Sequence, residues 1–236
     1  MKLWRTSWLI VWMLAFTPAT VPAADESVAS FELVESTEQA FNQLWSEALQ
    51  LASVPSEQKN SLWATQVEHR IAEPFMQYWN MPALLNLLLD DDVTAVDAAF
   101  REGLIQQLRI TFKRYVFEVL LEYKINEKSI EDMILRLDET PPSIRANVKG
   151  PLGIPVALQY ITTIQSGKLF IQDMEIANIR YSNWKKSFYR KYAKNSDWQG
   201  LILALDKKNE RLFSHFCEGS KNQLSIPDYI KTACVN

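Results

Sequence analysis

Phe100, Leu104, Leu108, Phe112, Tyr115, Val119 and Tyr123 recur three or four residues apart, one apolar stripe along roughly six turns of helix. Such a stripe must lie against something equally long, and ordinary core packing meets that demand as well as the wall of a slot does. Other helical signals precede it. Ser36 and Gln39 have the form of a capping box, after which Phe41, Leu44, Trp45, Ala48, Leu49 and Ala52 keep helical spacing. Pro55 and Ser56 interrupt that run, and a second helix is expected from there toward Trp79, bent or broken at Pro74. Asp90, Asp91 and Asp92 look like a metal cluster, but three consecutive carboxylates point in different directions. Just before the long stripe they read as helix N-capping residues.

From about Glu131 the period changes to two. Met133, Leu135 and Leu137 alternate with polar residues, Pro141-Pro142 intervenes, and Ile144, Ala146 and Val148 alternate again before Gly150-Pro151. Val156, Leu158 and Tyr160 follow, then a Ser166-Gly167 turn and a strand over 169–176. Four short strands joined by turn signals predict an antiparallel meander, one face of which needs covering. The expected class is α+β and mainly helical, with a four-stranded antiparallel sheet packed on long helices. A chain of 236 residues with 47% hydrophobic content can bury one sizeable core, so one domain is expected.

The first residues carry an address rather than structure. Lys2 and Arg5 precede an apolar run, WLIVWMLAF, and Val21 and Ala23 occupy the small-residue positions of a cleavage site. The run is too short for a membrane span of about 17–25 residues, so 1–23 is read as a cleaved export signal and the mature chain as soluble. Losing Lys2 and Arg5 takes the formal net charge from −3 to −5, a poor balance for binding nucleic acid. Cys217 and Cys234 form an even pair in an oxidising compartment, which predicts a disulfide stapling the tail. A metal site at His215 and Cys217 lacks further ligands nearby. Catalysis has little to work with. His69 and His215 are the only histidines, and no nucleophile elbow, H-E-x-x-H or C-x-x-C occurs, so no catalytic residue is assigned and no enzyme is expected.

The segment GIPVALQYITTIQSGKLFIQDMEIANIRYSNWKKSF resembles the strand-turn-strand-helix unit of the MlaC-type periplasmic phospholipid-binding proteins, the auxiliary component of toluene-tolerance ABC transport systems. The residues that carry the resemblance are Pro155-Val156, Tyr160, Gly167, Asp173, Asn178-Ile179-Arg180 and Asn183-Trp184-Lys185-Lys186-Ser187-Phe188. Gly200-Leu201-Ile202 and the Phe100-Leu104-Leu108-Phe112 run match further family features, so the likeness spans roughly residues 30–210. It implies an exported lipid-binding domain over 24–210, with 211–236 an extension. It also implies a periplasmic monomer that carries phospholipid between an inner-membrane ABC transporter's substrate-binding component and an outer-membrane lipoprotein complex, without a cofactor.

Two acyl chains of some thirty methylenes cost up to roughly 24 kcal/mol to carry bare through water, so a carrier needs a deep apolar cavity. Leu104, Leu108, Phe112, Tyr115, Val119, Leu158, Tyr160, Met174, Ile176 and Trp184 are the candidate lipid-binding residues, with Lys185 and its basic neighbours near the mouth. Simple core filling explains each apolar residue as well. On the helix after the last strand, Tyr181, Trp184, Phe188 and Tyr192 are expected to pack inward. Lys186, Arg190 and Lys194 form a second face, either plainly solvated or meeting anionic headgroups or an acidic partner. Asp173 is expected in an ion pair or hydrogen bond. The competing reading is an exported adaptor of the same fold, with a filled core and no ligand.

Overall fold

The structure, a computed structural model, describes residues 24–122, 130–136, 142–149, 155–217 and 227–234. The expected export signal, Tyr123 and Leu137 lie outside them. The long stripe is realised as helix α5 (Ala98–Glu122), and Asp97 caps it by accepting the Phe100 N–H at 3.0 Å. The capping role expected of Asp90–Asp92 therefore belongs to Asp97. Asp90 instead begins a short 3₁₀ turn at positive φ and pairs with Lys186 and Arg190, the latter at 2.7 Å. Two of the three cations on the expected basic face are thus tied to a carboxylate.

Helix α1 (Ala24–Ala52) runs through Ser36, whose hydroxyl donates to Leu33 O at 3.1 Å, so no helix begins there. It stops short of Pro55, as the sequence predicts. Asn60 caps α2 (Ser61–Val67), which continues through a π turn (Glu68–Ala72) into α3 (Glu73–Met76). Pro74 has no N–H to give to a carbonyl of the preceding turn, and the π turn before it carries the helical run through the proline without a break. A short connection leads to α4 (Met81–Leu89), capped by Asn80, which accepts from Ala83 N at 3.1 Å.

The sheet is an antiparallel meander in sequence order: β1 (Ile130–Arg136), β2 (Ser143–Lys149), β3 (Pro155–Gln165), β4 (Lys168–Ile176) and a two-residue β5 (Ile179–Arg180) added to the expected four. Ser166 and Gly167 make the β3–β4 turn with φ of 51° and 70°, the left-handed geometry of a tight hairpin. A bulge near Ile161 and Thr162 shifts the β3–β4 register by one. Tyr160–Met174 and Thr162–Ile171 are consequently opposed on one face, while Asp173 turns to the other. On the edge of β4, Ile171 N–H donates to Tyr78 O at 2.6 Å and Asn80 N–H to Ile171 O at 2.8 Å. These bonds fasten the α3–α4 connection to the sheet.

Helix α6 (Tyr181–Ala193) follows β5, and Asp197 caps α7 (Trp198–Phe213) by accepting from Gly200 N at 2.9 Å. A disulfide joins Cys217 to Cys234 and holds α8 (Asp228–Ala233) against the body. The expected domain edge at 210 falls inside α7, and Phe213, Phe216, Ile230 and Ala233 pack with Trp63 and Phe117 in a second buried cluster. No described helix is long and apolar enough to cross a membrane.

Candidate functional site

Leu104, Leu108 and Phe112 are fully buried along α5, in one cluster with Ile144, Leu169 and Ile171 of the sheet. Opposite them, Tyr160 and Met174 are half-buried and pack on the same cluster. Between the two layers stands a block of aromatic rings. Tyr160 lies 6.3, 6.0 and 6.2 Å from the rings of Phe41, Phe75 and Trp79, and Trp79 lies 4.2 Å from Phe112. Burial pushes the Tyr160 phenol up to about 12. Trp79 Nε1 is buried in this block with no hydrogen-bond partner, an unusual state for an indole donor.

The predicted site residues therefore divide. Leu104, Leu108, Phe112, Tyr160 and Met174 come together at the helix–sheet interface, and Leu158 is half-buried on the same face of β3. Val119, Ile176 and Trp184 lie on the surface, 42%, 39% and 62% exposed. Beyond Phe112 the buried side of α5 changes: Phe117 is nine residues past Leu108, about 180° round the helix, and faces the second cluster with Leu120. On α6 the inward residues are Tyr181 and Tyr189, with Phe188 and Tyr192 at the margin. Trp184 points out, with Lys185 Nζ 3.6 Å from its ring centroid. Tyr115 and Lys185 line a different feature, a cleft between α5, α6 and α7.

Four residues of the aromatic block were absent from the predicted set: Phe41, Phe75, Tyr78 and Trp79. Three of them sit within five positions in the run EPFMQYWN, directly after Pro74. That local density of rings was the available signal.

Asp173 answers for the junction between sheet and α6. It is 1% exposed, and its carboxylate accepts from Ser182 Oγ at 2.5 Å, Ser182 N at 3.2 Å and Met174 N at 2.9 Å. The side chain thus satisfies the first turn of α6 from a neighbouring strand. No group of three or more His, Cys, Asp or Glu among the described residues is arranged to hold a metal ion.

This mainly helical fold with an antiparallel meander has a counterpart among solved structures. It is the phospholipid-binding protein from Ralstonia solanacearum, determined in complex with a phospholipid. The two align with a TM-score of 0.56 over 76% of this chain and 98% of the other, at 14% identity. This chain has that fold. No protein-family model and no curated protein matches the sequence. The part left over when 98% of the Ralstonia protein is covered is about a quarter of the present chain.

Proposed function

We propose that the chain is an exported, non-enzymatic carrier that takes phospholipid acyl chains between α5 and the inner face of the sheet. The fold carries this reading, because it is shared along almost the whole of a protein solved with a phospholipid. The interface supports it: Leu104, Leu108, Phe112, Leu158, Tyr160 and Met174 offer acyl chains apolar and aromatic surface without charge. Trp79 Nε1 adds one unpartnered donor in that surface, suited to an ester carbonyl. In the MlaC-type reading, the chain works in the periplasm and passes lipid between an inner-membrane transporter component and an outer-membrane lipoprotein complex.

One observation favours the competing adaptor. The rings of Phe41, Phe75, Trp79, Phe112 and Tyr160 already touch across the gap between helix and sheet. A carrier must part them, whereas a filled-core adaptor leaves them as they are. Native purification followed by organic extraction and mass spectrometry separates the two. The carrier is expected to bring about one phospholipid per chain, and a lipid-free extract from correctly exported protein would refute it.

A further inference from the structure

Three cations and three phenols converge between α5, α6 and α7. Arg114, Lys185 and Lys208 line a cleft of about 40 Å³ together with Tyr115, Tyr181 and Tyr189, and no carboxylate lines it. Glu118, 3.2 Å from Arg114 Nε, stands outside the lining residues. Arg114 Nη1 also donates to Lys208 O at 3.2 Å, which fixes the guanidinium beside the cleft. The ammonium groups rest on ring faces, Lys185 on Trp184 and Lys208 on Phe188 at 3.8 Å. Burial, and then repulsion from Lys208 and Arg114, lowers the Lys185 pKa, with Glu118 opposing. Burial and then Arg114 lower that of Lys208.

A buried donor completes the group. Tyr189 is 1% exposed, and its buried hydroxyl donates to no partner among the described residues. Tyr189 lines the cleft, and burial raises its pKa most, Tyr115 adds to the rise, and a hydrogen bond from Tyr181 and then the Arg114 charge offset it. The Tyr115 and Tyr181 hydroxyls are 3.5 Å apart. Glu118 offsets part of the charge on Arg114, and the Lys185 and Lys208 ammonium groups beside the buried Tyr189 hydroxyl favour a negative group with acceptor oxygens. A cleft of this volume takes about three water-sized atoms, the scale of the oxygens of one tetrahedral oxyanion.

We propose that this cleft binds a single phosphate group, with Arg114, Lys185 and Lys208 as its cations and Tyr189 as a neutral donor. The phosphate is that of a lipid headgroup or a free phosphate. Phe112 touches both Tyr115 and Tyr181, so a headgroup here lies one ring away from the proposed acyl site. The proposal stands without lipid carriage, since free phosphate meets the same groups.

Thermal unfolding of the full mature chain in inorganic phosphate, against chloride at equal ionic strength, tests it. Saturable stabilisation specific to phosphate is expected, with apparent affinity weakened about tenfold or more in Lys185→Gln/Lys208→Gln. Tyr189→Phe should leave the phosphate-free melting temperature unchanged or raised while weakening the response to phosphate. Phosphate acting no better than chloride, or the double variant responding like the native chain, overturns the site. Monomeric dihexanoyl phosphatidic acid identifies the source: binding well above that of inorganic phosphate, and lost in the double variant, assigns a lipid headgroup, whereas equal or weaker binding assigns free phosphate. Extraction of lipid is a separate readout, so phosphate binding by a lipid-free protein sinks only the carrier reading.

Discussion

At Asp173 one buried carboxylate holds three donors, and two of them belong to Ser182 on the first turn of α6. Asp173→Ala strands those donors in a dry place and is expected to cost about 2–4 kcal/mol, read as a fall in the urea midpoint. Asp173→Asn keeps one acceptor and should cost less. Lys113 is a second buried charge, 2.5 Å from both Glu68 and Glu73, and Tyr229 donates to Glu68 from α8. The hydrogen bond from Lys113 holds the Glu73 carboxyl below its ordinary 4.5, against the opposing effect of burial. A carboxyl depressed by folding stabilises above its unfolded value, and the gain fades as pH falls through the lower folded value. Stability should therefore drop on acidification below about pH 4.5, and Glu73→Gln should make that limb shallower in urea titrations between pH 7 and 3.

At the scale of elements, α8 depends on its staple. The Cys217–Cys234 bridge spans 17 positions and keeps Ile230 and Ala233 in the second cluster. Reduction, or Cys217→Ser with Cys234→Ser, is expected to cost about 3 kcal/mol in urea unfolding. The sequence made the staple, the meander and the Ser166-Gly167 turn legible, because each rests on a local signal: an even cysteine pair, a period of two and a small turn residue. The stripe of α5 was legible only as far as Phe112. Periodicity shows that one face is apolar but not that a helix serves two clusters, so Val119 was chosen where Phe117 and Leu120 are buried. Trp184 misled for a related reason. A large ring at helical spacing reads as inward, yet it lies on the exposed side of α6 beneath an ammonium. Phe75 and Trp79 reach Tyr160 across some eighty residues of chain, a pairing that tertiary packing decides.

For the molecule as a whole, the question is whether the ring block is a core or a lining. Tyr160→Ala removes the ring that meets Phe41, Phe75 and Trp79, and in a filled core the loss should be about 3 kcal/mol whatever the preparation. In a carrier, acyl atoms replace the missing ring, so the lipid-loaded variant should lose distinctly less than the delipidated one. Urea midpoints of both forms decide it, and equal losses argue for the adaptor. The fastening of Tyr78 and Asn80 to Ile171 bears on how such a guest enters. Along that seam the two layers are stitched by backbone hydrogen bonds, while α1 meets Tyr160 through the side chain of Phe41. A guest is therefore expected to enter from the α1 side, away from this bound spine, and amide exchange should be faster there than at Ile171 and Asn80.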